Sequence, residues 1–238
     1  MGNPVSTQWI DIATPQGESG YSGYLALPPA GAGPGLVLFQ EIFGVNEHIR
    51  ALAEQYALDG FVVLAPDVFW RDMPRVELGY EGDDRQRGIQ LMSALQPDQV
   101  VSDLQAAVAA LRARPETKGR RSGAIGYCLG GRLAYQAAAL AGVDAAVAYY
   151  GGGIHKQLDL VPRIAGPMQL HYAGHDDNIP PDAVAAVRAA FAGKPAEVFV
   201  YPSASHGFNC WARASYHAPS AALAHGRSLA FLAQSLFQ

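Results

Sequence analysis

The sequence predicts an α/β fold in which a mostly parallel, doubly wound sheet begins with an antiparallel hairpin. Short apolar runs alternate with helical patterns along most of the chain, and this alternation is typical of βαβ units. The run at 36–39 is apolar on both faces, as a parallel strand covered by helices must be. Since a chain of 238 residues, half of them hydrophobic, can bury one continuous core, we predict a single domain over residues 1–238.

Each element of this fold follows from a local pattern. Two β-prone runs, 9–13 and 21–27, flank turn residues at 14–17 and predict the opening hairpin. Later β-prone runs predict strands at 36–39, 62–65, 122–126, 145–149, 168–172 and 197–201. Helical patterns predict helices at 48–58, 85–95, 98–113, 132–140, 182–191 and 220–236. The strand at 36–39 should be central, and a binding site should lie beyond the carboxyl ends of the parallel strands.

Composition and charge exclude several classes of partner. The formal net charge is −4 and the Lys and Arg residues are scattered, so the long-range field that attracts nucleic acid or an anionic membrane is missing. Residues 1–6 lack the basic region and the apolar run of a secretory signal, and no apolar stretch is long enough to span a bilayer. We therefore expect a cytoplasmic protein whose partner is a small molecule.

The cysteines and histidines give no indication of a disulfide or a metal site. We interpret Cys128 and Cys210 as free thiols, because a large domain without an export signal has no need of a disulfide. His171 lies in a predicted strand, His48 and His225 lie in predicted helices, and no Cys-x-x-Cys pair accompanies them. We predict no metal and no other cofactor.

The turn between the strand at 122–126 and the helix at 132–140 carries a candidate nucleophile. It places Cys128 in a Gly-x-Cys-x-Gly frame with Gly126 and Gly130. A strand-to-helix turn this sharp needs glycines two positions to either side, and it thrusts the central side chain into a cleft. The same turn points the amide of Leu129 toward a developing oxyanion. The alternative is a buried structural cysteine beside a glycine-rich turn.

A cysteine nucleophile needs a base and an orienting carboxylate. In enzymes with such a turn the chain order is nucleophile, acid, histidine. After the strand at 168–172 comes a turn with Asp176 and Asp177, either of which is a candidate acid. After the strand at 197–201, His206 stands in a loop of small residues and is the best candidate base. Aspartates in such a turn are also typical of a solvated helix cap, so the local pattern leaves both open.

These motifs, with several others, resemble the dienelactone hydrolase family, the cysteine-using, carboxymethylenebutenolidase-like branch of the α/β-hydrolases. The resemblance covers nearly the whole chain and implies the α/β-hydrolase fold. It selects Asp176 over Asp177 as the triad acid. It also implies that Glu41 lies beside the nucleophile and that the amide of Ile42 belongs to the oxyanion hole. It is carried by the segments 40–46, 65–67, 84–87, 126–131, 149–151 and 174–176, and by His206.

The resemblance also implies a mechanism. Substrate displaces Glu41, which then takes the thiol proton, and Cys128 attacks the carbonyl. The ring oxygen leaves, and a water activated by His206 with Asp176 hydrolyses the thioester. A resting thiol paired with a carboxylate would also stay protonated and resist oxidation. The alternative role for Glu41 is a helix cap at the end of a strand.

The expected substrate-binding residues follow from the same resemblance. The family holds a substrate carboxylate with two arginines, and Arg87 matches one of them. The position of the other, four residues after His206, is here Cys210, so Arg213 is the candidate replacement. The missing arginine leaves open a natural substrate without a carboxylate. An apolar part of the pocket is expected to be lined by Phe43, Tyr149, Tyr150 and Trp211.

Together these observations predict a carboxylic ester hydrolase that opens small lactones or cleaves activated esters through a thioester on Cys128, with His206 and Asp176 completing a catalytic triad. One alternative is a non-catalytic ligand-binding protein on the same scaffold, although such a protein would not need a complete triad. A second is a thioester-based acyltransferase, because nucleophiles other than water can intercept a thioester. We expect a monomer or a small homo-oligomer.

Overall fold

The computed structural model describes residues 4–238 and contains a mixed sheet with helices packed around it. The strands are β1 (Ser6–Asp11), β2 (Ser22–Leu27), β3 (Gly35–Phe39), β4 (Val62–Pro66), β5 (Ser122–Tyr127), β6 (Ala145–Tyr149), β7 (Met168–His175) and β8 (Ala196–Ser205). The α-helices are α1 (Glu47–Leu58), α2 (Gly82–Ala94), α3 (Pro97–Arg112), α4 (Leu129–Leu140), α5 (Pro181–Ala190) and α6 (Ala218–Leu236). Short 3₁₀ helices lie at Pro115–Thr117, Ile154–Lys156 and Leu158–Arg163.

The strand order of the eight-stranded sheet is β1-β2-β4-β3-β5-β6-β7-β8. β1 and β2 form the antiparallel hairpin, β2 pairs antiparallel with β4, and every further pair is parallel. β3 is buried throughout and lies between β4 and β5, so its predicted central position is confirmed. The predicted fold class is confirmed as well. Because the carboxyl ends of parallel strands share one edge, the loops after β3, β5, β7 and β8 meet there.

The two strands at the far edge, β7 and β8, extend beyond their predicted ends. They end at His175 and Ser205, and a register irregularity between Ala173 and His175 lets their pairing continue. A pattern of apolar residues misses these extensions because their residues are largely exposed. As a result, Asp176 and His206 each follow directly after a strand, as Cys128 follows β5.

The remaining elements lie close to their predicted positions. Each begins and ends within three residues of its prediction, and the largest shifts, of three residues, are at the starts of β1, α2 and α4. Edge strands can begin on exposed polar residues, as β1 does. None of the helices in residues 4–238 is long and apolar enough to cross a membrane.

The start of α4 is pressed against the sheet backbone. A Cβ atom on Gly126 would lie 2.0 Å from the carbonyl oxygen of Gly130, and one on Gly130 would lie 2.1 Å from that of Phe39. Neither neighbour is a flexible side-chain end that could move aside. The first turn of α4 therefore reaches its position over β3 and β5 only because these positions carry no side chain.

We expect Gly130→Ala to destabilise the protein by about 3 kcal/mol, because its methyl group must displace the β3 backbone. Gly226→Ala is the matched control: Gly226 lies within α6, and a Cβ there meets nothing within 4 Å. This second change should stabilise the protein by about 0.5–1 kcal/mol through the better helix propensity of alanine. Urea unfolding of both variants measures these free energies. Equal stabilities would show that the approach of α4 to β3 is not tight.

Candidate active site

Cys128 occupies a strained turn between β5 and α4. Its backbone has φ 56° and ψ −114°, a conformation that residues other than glycine rarely adopt. Its amide donates a 3.0 Å hydrogen bond to the carbonyl oxygen of Tyr149, which ties the turn to β6. The side chain is partly exposed and lines a cleft. Sequence and structure thus agree that the thiol is presented at the carboxyl edge of the sheet.

His206 and Asp176 form the second part of the site. The Nδ1 atom of His206 lies 2.8 Å from Oδ2 of Asp176, whose side chain is 1% exposed. The other oxygen of Asp176 accepts a 2.9 Å hydrogen bond from the amide of Asn178, which fixes the carboxylate. Asp177, in contrast, is exposed and lines the cleft. The structure therefore pairs Asp176, and not Asp177, with the histidine.

The environment of His206 favours its protonated form. Burial lowers the pKa of this imidazole, but the charge of Cys128 and the hydrogen bonds to Asp176 and Cys128 outweigh burial and raise the pKa to about 10. The cysteine and the carboxylate thus act on the same ring from its two sides. Opposite a Cys128 thiolate the ring is therefore an imidazolium at neutral pH, and it can donate a proton toward the cleft.

Glu41 forms a buried ion pair with Arg213. Oε1 of Glu41 lies 3.0 Å from Nη1 of Arg213, and the glutamate side chain is 2% exposed. Burial raises the pKa of Glu41, and the charges of Arg213 and His206 oppose that rise. The sequence-based expectation paired this carboxylate with the resting Cys128 thiol. The structure corrects it, because the partner of Glu41 is an arginine from the loop after β8.

Arg213 reaches this position through a glycine. Gly207 has φ 82°, and a Cβ there would lie 2.3 Å from Nη1 of Arg213. The guanidinium therefore lies directly on the backbone of Gly207, and its Cζ is 5.5 Å from the centre of the Phe43 ring. Cys210 itself is fully buried. The loop thus supplies an arginine three residues beyond the position at which the resemblance expected one.

A cleft of about 540 Å³ opens above Cys128. Predicted residues that line it are Ile42, Phe43, Cys128, Leu129, His206 and Arg213. The sequence analysis did not single out several other lining residues, among which are Arg85, Ile89, Met92, Arg132 and Lys156. For Arg132 a pattern was available, because a helical residue four positions after the nucleophile projects from the same face of α4. Within residues 4–238 no cluster of His, Cys, Asp and Glu is arranged to hold a metal ion.

Four of the predicted substrate-binding residues do not line the cleft, and one of them is Tyr150, which is fully buried. The Arg87 guanidinium donates to Gln90 at 3.3 Å on the exposed face of α2, because residues two apart on a helix point to different sides. Tyr149 is fully buried, and its hydroxyl lies 2.8 Å from Oγ of Ser228. Trp211 is 48% exposed and packs on His48, with 4.2 Å between ring centres, at a separate surface pocket.

Comparison with known proteins identifies the family of the chain. The model of the dienelactone hydrolase family matches residues 21–236. The carboxymethylenebutenolidase of Pseudomonas putida is 36% identical over 230 residues, which cover 95% of this chain and 96% of the relative. Carboxymethylenebutenolidase 1 of Cupriavidus pinatubonensis is 32% identical and covers 90% of this chain and 91% of its own.

Solved structures give the same result. A crystal structure of a Klebsiella pneumoniae protein assigned to the dienelactone hydrolases superposes with a TM-score of 0.84 at 33% identity. The match covers 96% of this chain and 99% of that chain. The chain therefore belongs to the dienelactone hydrolase family and is a hydrolase with an α/β-hydrolase fold.

Proposed function

We propose that the protein hydrolyses small lactones or activated carboxylic esters through a thioester formed on Cys128. The observation that carries this proposal is a thiol at a strained strand-to-helix turn, coupled to an imidazole that is itself 2.8 Å from a buried carboxylate. Each of the three residues directly follows a strand, so the sheet holds them in place. This is the arrangement that nucleophilic catalysis requires.

The two buried carboxylates have different roles in this proposal. Asp176 lies 2.8 Å from His206 and favours the imidazolium, so His206 is suited to give a proton to the leaving oxygen. Glu41 has a raised pKa from burial and becomes an acceptor once Arg213 leaves it. Glu41 is therefore the base for the thiol, and His206 with Asp176 acts on the leaving group and on water.

The proposed reaction proceeds in balanced steps. Glu41 takes the proton of the Cys128 thiol, and the thiolate attacks the ester or lactone carbonyl. When the C–O bond breaks, His206 gives its proton to the leaving oxygen, and the acyl group remains on sulfur. His206 then takes a proton from water, and the resulting hydroxide attacks the thioester. The carbon–sulfur bond breaks to give the carboxylic acid, and Glu41 returns its proton to the thiolate.

The oxyanion formed in both attacks needs hydrogen-bond donors. Ile42 and Leu129 line the cleft beside Cys128, one after β3 and the other at the first position of α4. Their backbone amides are the proposed donors. The amino-terminal end of α4 adds a favourable dipole for the negative charge at this place.

The charges that line the cleft favour substrates with an acidic group. Arg85, Arg132, Lys156 and Arg213 line it, and they outnumber the carboxylate of Asp177, which lines it as well. Within the described residues no carboxylate forms an ion pair with the Arg132 guanidinium; burial lowers its pKa, and the charge of Cys128 opposes that decrease. A partly buried cation that lacks a paired carboxylate can receive one from a substrate. We therefore place a substrate carboxylate between Arg132 and Arg213, where it draws Arg213 away from Glu41.

Cys128→Ala tests the nucleophile. We expect kcat/KM for 4-nitrophenyl butyrate to fall by about a thousandfold or more, because the thioester can no longer form. Circular dichroism checks that the fold is kept. Cys210→Ala is the matched control, since Cys210 is fully buried and does not line the cleft, and this variant should keep its turnover. Full turnover by Cys128→Ala would refute the proposed function.

Two arginine variants test the acidic substrate. The nitrophenyl monoester of succinic acid differs from 4-nitrophenyl butyrate by a carboxylate in place of a methyl group. We expect Arg132→Gln to lower kcat/KM for the acidic ester about 30-fold more than for the neutral one, which corresponds to about 2 kcal/mol for a charged hydrogen bond. Arg87→Gln, on the exposed face of α2, should leave the ratio unchanged. An unchanged ratio in Arg132→Gln excludes this residue as the receptor.

The raised pKa of His206 predicts a pH-dependent contribution to stability. An imidazole in an unfolded chain has a pKa of about 6.5, whereas that of His206 in the folded protein is about 10. The imidazolium therefore stabilises the fold fully below about pH 6.5, and this contribution is lost as the pH rises through 10. The difference in free energy of unfolding between wild type and His206→Gln should shrink over that interval in urea titrations.

A second measurement tests the cause of the raised His206 pKa. Because Cys128 contributes to the raised pKa, the NMR titration midpoint of His206 should be lower in Cys128→Ala than in the wild type. A midpoint that is unchanged by this substitution would show that the thiol and the imidazole are not coupled.

A further inference from the structure

Tyr150, the residue after β6, has two features that the proposed mechanism does not use. Its backbone has φ 36°, a left-handed conformation that is costly for a tyrosine. Its hydroxyl oxygen is buried and has no hydrogen-bond partner within residues 4–238. A buried hydroxyl that makes no hydrogen bond destabilises a protein, as does a strained backbone. Both occur in one residue beside the active site, which calls for a functional explanation.

The surroundings of Tyr150 belong to the active site. Its ring centre is 5.0 Å from that of His206 and 5.3 Å from that of Phe208. Apart from burial, the groups that act on the ionisation of its hydroxyl are Glu41 first, then Cys210, Arg213 and Cys128. The ring therefore lies beside His206, and the Glu41–Arg213 ion pair and the nucleophile are near enough to act on its hydroxyl. It does not line the cleft, so it is not placed to bind substrate.

The role of the Tyr150 hydroxyl follows from the Glu41–Arg213 ion pair. Glu41 is 2% exposed, and its carboxylate is held in this structure by Arg213. When Arg213 turns to a substrate, the carboxylate would stay buried without a partner, which is strongly unfavourable. The Tyr150 hydroxyl is a buried donor with no other partner in residues 4–238, and Glu41 is the first of the charges that act on it.

We propose that Tyr150 is a positioning residue whose hydroxyl donates a hydrogen bond to Glu41 after Arg213 has left, and so holds the carboxylate toward the Cys128 thiol. One carboxylate oxygen accepts from the phenol and the other receives the thiol proton. The phenol keeps its own proton throughout. This inference rests on the proposed function, because it gives Glu41 a partner during the acylation step.

Tyr150→Phe removes only the hydroxyl and is the test. In single turnovers with enzyme in excess over the nitrophenyl monoester of succinic acid, nitrophenolate release reports acylation. We expect the limiting rate to fall about tenfold, as for a lost hydrogen bond to a charged group, while the half-saturating concentration stays within about twofold. The thermal midpoint should be unchanged or higher, because the hydroxyl has no partner in residues 4–238 of the resting protein.

Tyr172→Phe is the matched control. The Tyr172 hydroxyl is also buried without a hydrogen-bond partner among the described residues, but the ionisable group that acts on it is Tyr135, which is not a member of the active site. This variant should keep the wild-type acylation rate. If both variants lose the same activity, the effect of Tyr150→Phe is structural and the proposal fails.

A double variant separates positioning from other effects. In a Glu41→Gln background, Tyr150→Phe should cost no further activity, because the carboxylate on which the hydroxyl acts is absent. An equal loss in both backgrounds, or no loss in the single variant, would overturn the role of Tyr150. Neither outcome would bear on the proposal that Cys128 is the nucleophile. That proposal fails only if Cys128→Ala releases nitrophenolate at the wild-type rate.

Discussion

The site depends on the contact between the backbone of α4 and the backbone of the sheet. Cβ atoms on Gly130 and Gly131 would collide with the carbonyl oxygens of Phe39 in β3 and Tyr149 in β6, at 2.1 and 2.4 Å. With no side chains between them, helix and strands meet directly, and the chain must turn sharply at Cys128 with φ 56°. The strain at this residue is balanced by the surrounding packing, so the thiol is fixed before any substrate arrives.

A single loop balances the charges of the site. Asp176 and Glu41 are 1% and 2% exposed and come from different strands, yet both pair with residues of the loop after β8. His206 opens that loop, and Arg213 returns to the cleft over Gly207. His206 and Arg213 in this loop therefore set how much of the negative charge of Asp176 and Glu41 is neutralised. In the proposed mechanism this loop also links the charge of the substrate to the state of Glu41, because Arg213 lines the cleft and pairs with that carboxylate.

The features that depend on hydrophobic periodicity and on strand order could be predicted from the sequence. Apolar runs placed the strands, and the strand ends placed Cys128, Asp176 and His206, because parallel strands deliver their following residues to one edge. Without the family resemblance, the sequence could not distinguish Asp176 from Asp177. The two differ in a hydrogen bond to His206, which lies in a loop distant in sequence. The family resemblance selected Arg87, whereas Arg85 lines the cleft, because a motif match along the chain does not show which of two arginines in the same helix faces the site.

The substitution at Cys210 shows why a position alone does not define a functional group. The arginine expected there is absent, yet a guanidinium still meets Glu41 at 3.0 Å, because the chain returns at Arg213. This return needs Gly207, where any side chain would occupy the place of the guanidinium. Arg213 and Gly207 thus act together to neutralise the buried carboxylate of Glu41, although the arginine stands at a different position in the loop. The absence of a motif residue therefore indicates a lost activity only where the buried charge with which that residue would pair has no other partner.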